Sequence, residues 1–519
     1  MKISNPTLFR GRQETPLYVL LLFALIMGLS TFRDYGFSWD EPLFYKYADA
    51  LGYAYTPSNW FSGHFDLNQS YGPSGDDHKN RGPAYLLLTR EPVYLIEKLN
   101  INTDDAWHLV NFLAFLLGVY FLYKLCERLM NPWAALATSA LFLSQPLLWG
   151  HAFINPKDPS FLVFLTGAIY SGFRMVDNFV VSDHKPIWDV ILAAFMLGIA
   201  TSIRVLGPLA GLLVVIYYLA QRPNRRTATW MVLYASLSIA IMIATWPYLW
   251  ETPLRFLQAF QFMSANPTIL PVLFADQMYR ANELPHRYLL FYLFFTLTEF
   301  VWPLFILGTV VAYHKLKNDG QKLLQASLIL SWLVIPFAYV ILRNPPNFDG
   351  MRHFLFILPP IFVFTGFAID FLFEKIKRTW INALLIPAIL APGIIGIIQL
   401  HPYEYAYYNS FIGGTGGAFR HYETEYWLTC YKEAVEKFKQ IAPPSSTLYV
   451  HREAYIAATY ASSNITVLDE RGNENQIKSG DYILINTRGN EDRKTFHDAP
   501  VILSVGRAGA TFCVVKQIP

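Results

Sequence analysis

The chain is 519 residues long, 53% hydrophobic and 16% aromatic, with only 15% charged residues and a formal net charge of +3. Soluble domains carry about 25% charged residues, so this depletion excludes an ordinary soluble globule and points to the bilayer. The small net charge, with no Lys/Arg block, excludes nucleic acid as a partner.

A membrane-crossing helix needs about 20 apolar residues. Hydrophobic runs fall at 16–32, 106–126, 133–150, 159–178, 187–203, 205–220, 228–247, 288–313, 323–342, 354–373 and 381–399, which predicts about eleven spans. The first run follows Arg10 and Arg12 and is followed by no small-x-small cleavage site, so it reads as a retained anchor. Lys124 and Arg128, Lys185, Arg222 with Arg225 and Arg226, His314 with Lys315, Lys317 and Lys322, and Lys375 with Lys377 and Arg378 occupy alternate short loops. Basic short loops mark the cytoplasmic side, which predicts a cytoplasmic N-terminus. Residues 189–220 are interrupted only by Arg204. One helix there would be about 48 Å long, too long for a core of about 30 Å. Two short spans broken at Gly207-Pro208 keep the alternation and put Arg204 at the outer face.

The outer side then holds a long first loop (33–105), a second near 248–287, turns at 151–158 and 343–353, and a tail from His401. Pro42–Tyr53 and Thr252–Met263 carry apolar residues at helical spacing and are expected to lie in the interface. The segment between Trp60 and Arg81, rich in Gly, Ser, Asn and Asp, is expected to be irregular. In the tail, Glu423–Gln440 and Glu453–Tyr460 read as helices. Thr447–His451, Ile465–Leu468, Tyr482–Asn486, Val501–Val505 and Phe512–Lys516 read as strands. The expected organisation is a membrane domain over 1–415 and a small exported α/β domain over 420–519. Of the three cysteines, Cys126, Cys430 and Cys513, the last two share the tail and could pair; three are too few for a metal cage.

Charged residues at the outer ends of spans come from four separate parts of the chain: Asp40-Glu41, Asn155-Pro156-Lys157-Asp158, Arg204, and Arg343 with Asp349, Arg352 and His353. Charges so near hydrocarbon are costly and mark function. Each has a plainer reading. Asp40 could cap the helix that Pro42 begins, the Asn-Pro-Lys-Asp segment could be a turn, and Arg204, Arg352 and His353 could reach headgroups. Their coincidence on one face favours a reaction centre. Transfer of a sugar from a lipid phosphate needs a carboxylate to take the acceptor's proton and cations for the departing phosphate. Asp40 or Glu41 suits the first role; Lys157, Arg204, Arg352 and His353 suit the second. Glu299, inside the eighth run, receives no role. Phe411–Gly417 could cradle a phosphate or join two domains as a flexible turn.

The Asp40-Glu41 pair after the first span, the Asn155–Asp158 turn, and Arg352-His353-Phe354 before Pro359-Pro360 resemble motifs of GT-C glycosyltransferases. The nearest groups are the family 39 protein O-mannosyltransferases and bacterial aminoarabinose transferases, together the phospholipid carrier-dependent glycosyltransferases. His401–Asn409 and Tyr422–Trp427 are similar to stretches in bacterial members. The resemblance implies a polytopic all-α enzyme of a bacterial plasma membrane, moving sugar from undecaprenyl- or dolichyl-phosphate to a lipid, glycan or protein on the exoplasmic face, with inversion. It implies Asp40 as base, Glu41 beside it, and Asp158 as an acid near donor or a divalent metal, which the sequence itself does not require. The tail lacks resemblance to the MIR domain of eukaryotic O-mannosyltransferases. The alternative is a transporter or flippase of lipid-linked glycans, which would carry mid-span charges and internal repeats. A lipid-binding scaffold is a third reading, one that would make the tail essential and Asp40 dispensable.

Overall fold

A computed structural model describes residues 10–181, 186–265 and 268–519; Lys185, used above for sidedness, lies outside them. Among the described residues seven helices are long and apolar enough to cross a membrane: Glu14–Thr31, Thr103–Glu127, Asp158–Phe179, Arg225–Ala244, Gly320–Arg343, Arg352–Lys375 and Thr379–Leu400. The other four apolar runs form shorter or broken helices. The 187–220 run is two helices, Ile187–Ile203 and Pro208–Ala220. Between them a Cβ on Gly207 would sit 2.4 Å from the Thr201 backbone, so the tight connection needs glycine.

The two remaining runs are broken. Pro132–Leu143 and Pro146–Ile154 meet at Ser144-Gln145, and Arg287–Phe295 and Val301–Leu316 are separated by residues 296–300. The breaks satisfy each other: Gln145 Oε1 accepts from Thr298 N, and Gln145 Nε2 donates to Thr298 Oγ1, both at 3.0 Å. Freed backbone groups at membrane depth need such partners. The eighth run is therefore not one helix, and Glu299 lies in its break, where Oε1 accepts from Ser410 N at 2.8 Å.

In the most apolar stretches of the helices at Asp158–Phe179 and Arg352–Lys375, 94% and 89% of residues are buried, against 17% in those of Glu14–Thr31 and Thr379–Leu400. The first pair forms the centre and the second the lipid-facing rim. Val301–Leu316 packs so closely on the central helix that a Gly308 Cβ would fall 1.7 Å from Phe364 O. Charges segregate to the two ends of the bundle. At one end Lys124 pairs with Glu14 (2.8 Å), Arg128 with Asp177 (2.5 Å) and Lys315 with Asp370 (2.7 Å). At the other end lie Asp40, Asp158, Arg204 and Arg352.

That second end is covered by helices Glu41–Leu51, Ala84–Glu97 and Arg255–Ala265, a hairpin of β1 (Pro271–Phe274) and β2 (Gln277–Arg280), and the tail. The Ala84–Glu97 helix and the hairpin are absent from the sequence reading. The 60–81 segment contains the short helix Gly75–Lys79. The tail helix starts at Cys430, later than expected, leaving 423–429 as an irregular segment with Leu428 at φ 66°, its Trp427 carbonyl bound by the loop that carries Asp40. Strands β3 (Ser446–Val450), β4 (Ile465–Asp469), β5 (Tyr482–Asn486), β6 (Val501–Arg507) and β7 (Ala510–Gln517) form one sheet of order β4-β3-β5-β7-β6. β3 runs parallel to β4 and β5; β7 is antiparallel to β5 and β6. Cys430, at the start of helix Cys430–Ile441, is disulfide-bonded to Cys513 on β7. The glycine-rich segment is a short helix, Gly414–Ala418, held against the β6–β7 turn at Ala508 and Gly509.

The C-terminal domain sits directly on the first loop. Trp39 N donates to Trp427 O (2.9 Å) and Phe37 N to Tyr460 Oη (2.9 Å), while Lys432 Nζ donates to the carbonyls of Arg33 (2.6 Å) and Tyr35 (3.0 Å).

Candidate active site

Asp40 begins the helix Glu41–Leu51 but does not cap it: its carboxylate makes no hydrogen bond to that helix. The side chain instead turns to Arg352, whose Nη1 lies 2.6 Å from Asp40 Oδ2. Its other oxygen has no hydrogen-bond partner among the described residues. Glu41 points the other way. It is fully buried, accepting from Ser38 N (2.6 Å) and Tyr45 Oη (2.5 Å), with His108 Nε2 at 3.1 Å.

A cavity of about 760 Å³ opens in front of Asp40. Of the seven residues singled out from sequence, Asp40, Lys157, Asp158, Arg204, Arg352 and His353 line it. Glu41 does not; it anchors the loop from behind.

The Asn155–Asp158 turn is built by its own side chains. Asn155 Oδ1 accepts from the amides of Lys157 (3.1 Å) and Asp158 (3.0 Å), and Asn155 Nδ2 donates to Asp158 Oδ2 at 2.9 Å. Asp158 pairs through its other oxygen with Arg204, which also lies over the Phe161 ring. The Lys157 ammonium is 5.5 Å from the Phe44 ring centre and has no ion-pair partner among the described residues. Burial, with Arg81 and Arg204 nearby, pushes it below the usual lysine range. Arg81 also lines the cavity, bound to Asp77 through Nε at 2.7 Å. The adjoining Gly82 fixes its approach, since a Cβ there would fall 1.4 Å from Ser202 O. The far wall is apolar, formed by Leu206, Leu209, Met263, Ile335, Tyr339 and Phe356.

Arg352 is held on three sides. Nη1 meets Asp40, Nη2 meets Asp349 Oδ2 at 2.9 Å, and the guanidinium lies 4.7 Å from the Trp427 ring centre. Asp349 adopts φ 57°, followed by Gly350 at 61°; this left-handed pair aims the carboxylate inward. Its second oxygen pairs with Arg488 of the C-terminal domain at 2.8 Å.

Residues 93–250 match the family model described as dolichyl-phosphate-mannose-protein mannosyltransferase. That stretch holds the Asn155–Asp158 turn and Arg204, but neither Asp40 nor Arg352. ArnT from Cupriavidus metallidurans, in the apo state, superposes with a TM-score of 0.51 at 14% identity, over 96% of this chain and 98% of that one. The chain has the GT-C fold and resembles the phospholipid carrier-dependent glycosyltransferases. The Archaeoglobus fulgidus oligosaccharyltransferase in its apo form gives 0.51 at 11% identity, over 93% of this chain and 70% of that one. The same archaeal protein, AglB, in complex with an inhibitory peptide and a dolichol-phosphate, gives 0.52 at 11% identity and the same coverage. At these identities the likeness concerns fold. No curated protein matches the sequence.

Three residues of this candidate site lie outside the sequence-derived set: Arg81, Trp427 and Arg488. Arg81 sits in a loop expected to be irregular, and only Gly82 beside it hints at close packing. Arg488 follows β5 in the turn Arg488-Gly489-Asn490, where Gly489 and Asn490 take φ 63° and 60°. Those turn residues are its one sequence signal. Among the described residues no group of three or more His, Cys, Asp or Glu side chains is placed to hold a metal ion.

Proposed function

We propose that this integral membrane protein is a glycosyltransferase that moves a sugar from a polyprenyl-phosphate donor to an acceptor on the exoplasmic face of a bacterial plasma membrane, with inversion. The observation that carries the reading is that one cavity holds both the Asp40 carboxylate and the Lys157 ammonium, which has no ion-pair partner among the described residues, beside apolar lining.

The donor's hydrocarbon lies along Leu206, Leu209, Ile335 and Tyr339, and its phosphate meets Lys157 with the Nη groups of Arg81, whose guanidinium binds Asp77 through Nε. A phosphate there gains charge-assisted hydrogen bonds that strengthen as the leaving oxygen takes up charge. The acceptor hydroxyl attacks the anomeric carbon from the Asp40 side. Its oxygen forms the new glycosidic bond, the bond to the phosphate oxygen breaks, and the proton passes to Asp40. The polyprenyl phosphate leaves as the anion. Arg352 orients the Asp40 carboxylate, and no step here is routed through a metal.

Sidedness rests on two observations. The basic loops gather at the end of the bundle away from the cavity, as cytoplasmic loops do. The Cys430–Cys513 disulfide belongs in an oxidising compartment. The charges that cluster at helix ends around the cavity do not favour transport, which places them near the midplane. The test is transfer of label from radiolabelled polyprenyl-phosphate sugars in membranes carrying wild type or Asp40→Asn. Label reaching an endogenous acceptor only with wild type supports the reading; equal transfer by both removes it.

A further inference from the structure

Five charged side chains form an alternating chain that crosses from the membrane domain into the C-terminal domain: Asp40, Arg352, Asp349, Arg488 and Glu423. The links are 2.6 Å (Asp40–Arg352), 2.9 Å (Arg352–Asp349), 2.8 Å (Asp349–Arg488) and 3.3 Å (Arg488–Glu423). Arg488 is held besides by its Nη1 donating to Tyr426 O at 3.0 Å, and its guanidinium lies 5.7 Å from the ring centre of Trp39, the residue before Asp40. Its side chain is 3% exposed. A charge so buried needs its partners, and removing one leaves the others uncompensated.

The arrangement at Asp349 decides what Arg488 does. A carboxylate facing a guanidinium prefers to take it with both oxygens. Here Arg352 Nη2 lies against Oδ2 alone, while Arg488 Nη2 stands 2.8 Å from Oδ1 as an ion pair and not a hydrogen bond. Arg352 Nη1 is thereby left for Asp40. With Arg488 gone, Asp349 is free to take both Nη groups of Arg352, and the partner that orients Asp40 is drawn off. We propose that Arg488 is a positioning residue for the transfer reaction, and that the C-terminal domain completes the active centre by inserting it. This inference rests on the reading of Asp40 as the base.

The experiment uses the full chain in nanodiscs, with labelled polyprenyl-phosphate sugar as probe. Arg488→Met is expected to lower kcat by about 10²-fold, the cost of misplacing a reacting group by roughly 1 Å, with donor KM unchanged. Arg488→Lys, which restores the charge but not the fork, is expected to recover part of that loss. Asp349→Asn, which removes the carboxylate that competes with Asp40 for Arg352, is expected to cost less kcat than Arg488→Met, and the double variant is expected to recover part of the Arg488→Met loss, because that loss runs through Asp349. Hydrogen exchange is read alongside: residues 347–356 lose protection in Arg488→Met while β5 and β7 keep theirs. Wild-type kcat in Arg488→Met overturns the proposal. So do equal losses in the Met and Lys variants with β5 and β7 deprotected, which mark a purely structural arginine. If Arg488→Met does not fold, Arg488→Lys with wild-type kcat overturns it. If wild type moves no label from any donor, the glycosyltransfer reading fails by itself. Exchange then decides the positioning role: raised exchange at 347–356 supports it and unchanged exchange overturns it.

Discussion

Asp40 and Glu41 are neighbours in sequence and face opposite ways, the first into the cavity against Arg352 and the second into a dry cluster with Tyr45 and His108. Consecutive residues at a helix start point about 100° apart, so only one of an adjacent acidic pair can face a given space. Asp40→Asn keeps shape and removes the proton acceptor. Sugar transfer is expected to fall by about 10³-fold with only a small fall of Tm in detergent, since Arg352 keeps Asp349. Glu41→Gln is expected to lower Tm, because His108 and the Ser38 amide lose their carboxylate. Normal activity in Asp40→Asn would end the assignment of Asp40 as base.

Lys157 and Arg204 divide the tasks that sequence alone assigns them jointly. Arg204 is already committed to Asp158, whereas Lys157 has no ion-pair partner among the described residues. Lys157→Met is expected to raise donor KM by roughly 10-fold, the value of a lost charge-assisted bond, with little change in Tm. Arg204→Ala leaves a buried carboxylate unpaired and is expected to destabilise by about 3–5 kcal/mol. Steady-state kinetics and thermal unfolding separate the two. A donor KM unchanged in Lys157→Met would put the phosphate elsewhere.

The sequence exposes the membrane helices because a span must be about 20 apolar residues, and the strands because their alternation survives in a short tail. The site is partly legible for the opposite reason. Asp40, Lys157, Asp158, Arg204 and Arg352 stand out as charges beside hydrocarbon, which is costly without a task. Arg488 does not stand out, because an arginine in a polar tail looks like any other until the sheet docks it under Trp39. The Gln145–Thr298 interlock is hidden as well. Each break is a small polar interruption in an apolar run, the first ended locally by Pro146, and only the fold brings the two together. Ala84–Glu97 carries Pro92 inside it, which argues against a helix locally and is outweighed by packing on Thr103–Glu127.

The disulfide closes a loop of 83 residues around the sheet. Cys430→Ser with Cys513→Ser is expected to lower the stability of the C-terminal domain by about 2–5 kcal/mol. Activity should fall with it at temperatures where the sheet opens, since Arg488 leaves with the domain. Thiol labelling under denaturing conditions, with and without reductant, checks the pairing: two cysteines protected until reduction is the expected result, and Cys126 alone labels beforehand.

His401 ties the end of the last span to the end of the first. Its Nδ1 lies 2.7 Å from Glu404 Oε1 and its Nε2 2.9 Å from Asp34 Oδ2. Burial opposes the charged ring, but the hydrogen bonds and charges of Glu404 and Asp34 outweigh it and lift His401 to about 9 from 6.5. A group whose folded value is raised contributes its full stabilisation below its unfolded value and loses it as pH rises through the folded one. Stability from this clasp is therefore complete below about pH 6.5 and is lost as the pH passes about 9. The Tm of wild type is expected to decline between those limits, and His401→Gln, which cannot charge, to start lower and stay flat across them. A His401→Gln profile parallel to that of wild type would show that the alkaline loss belongs to another group.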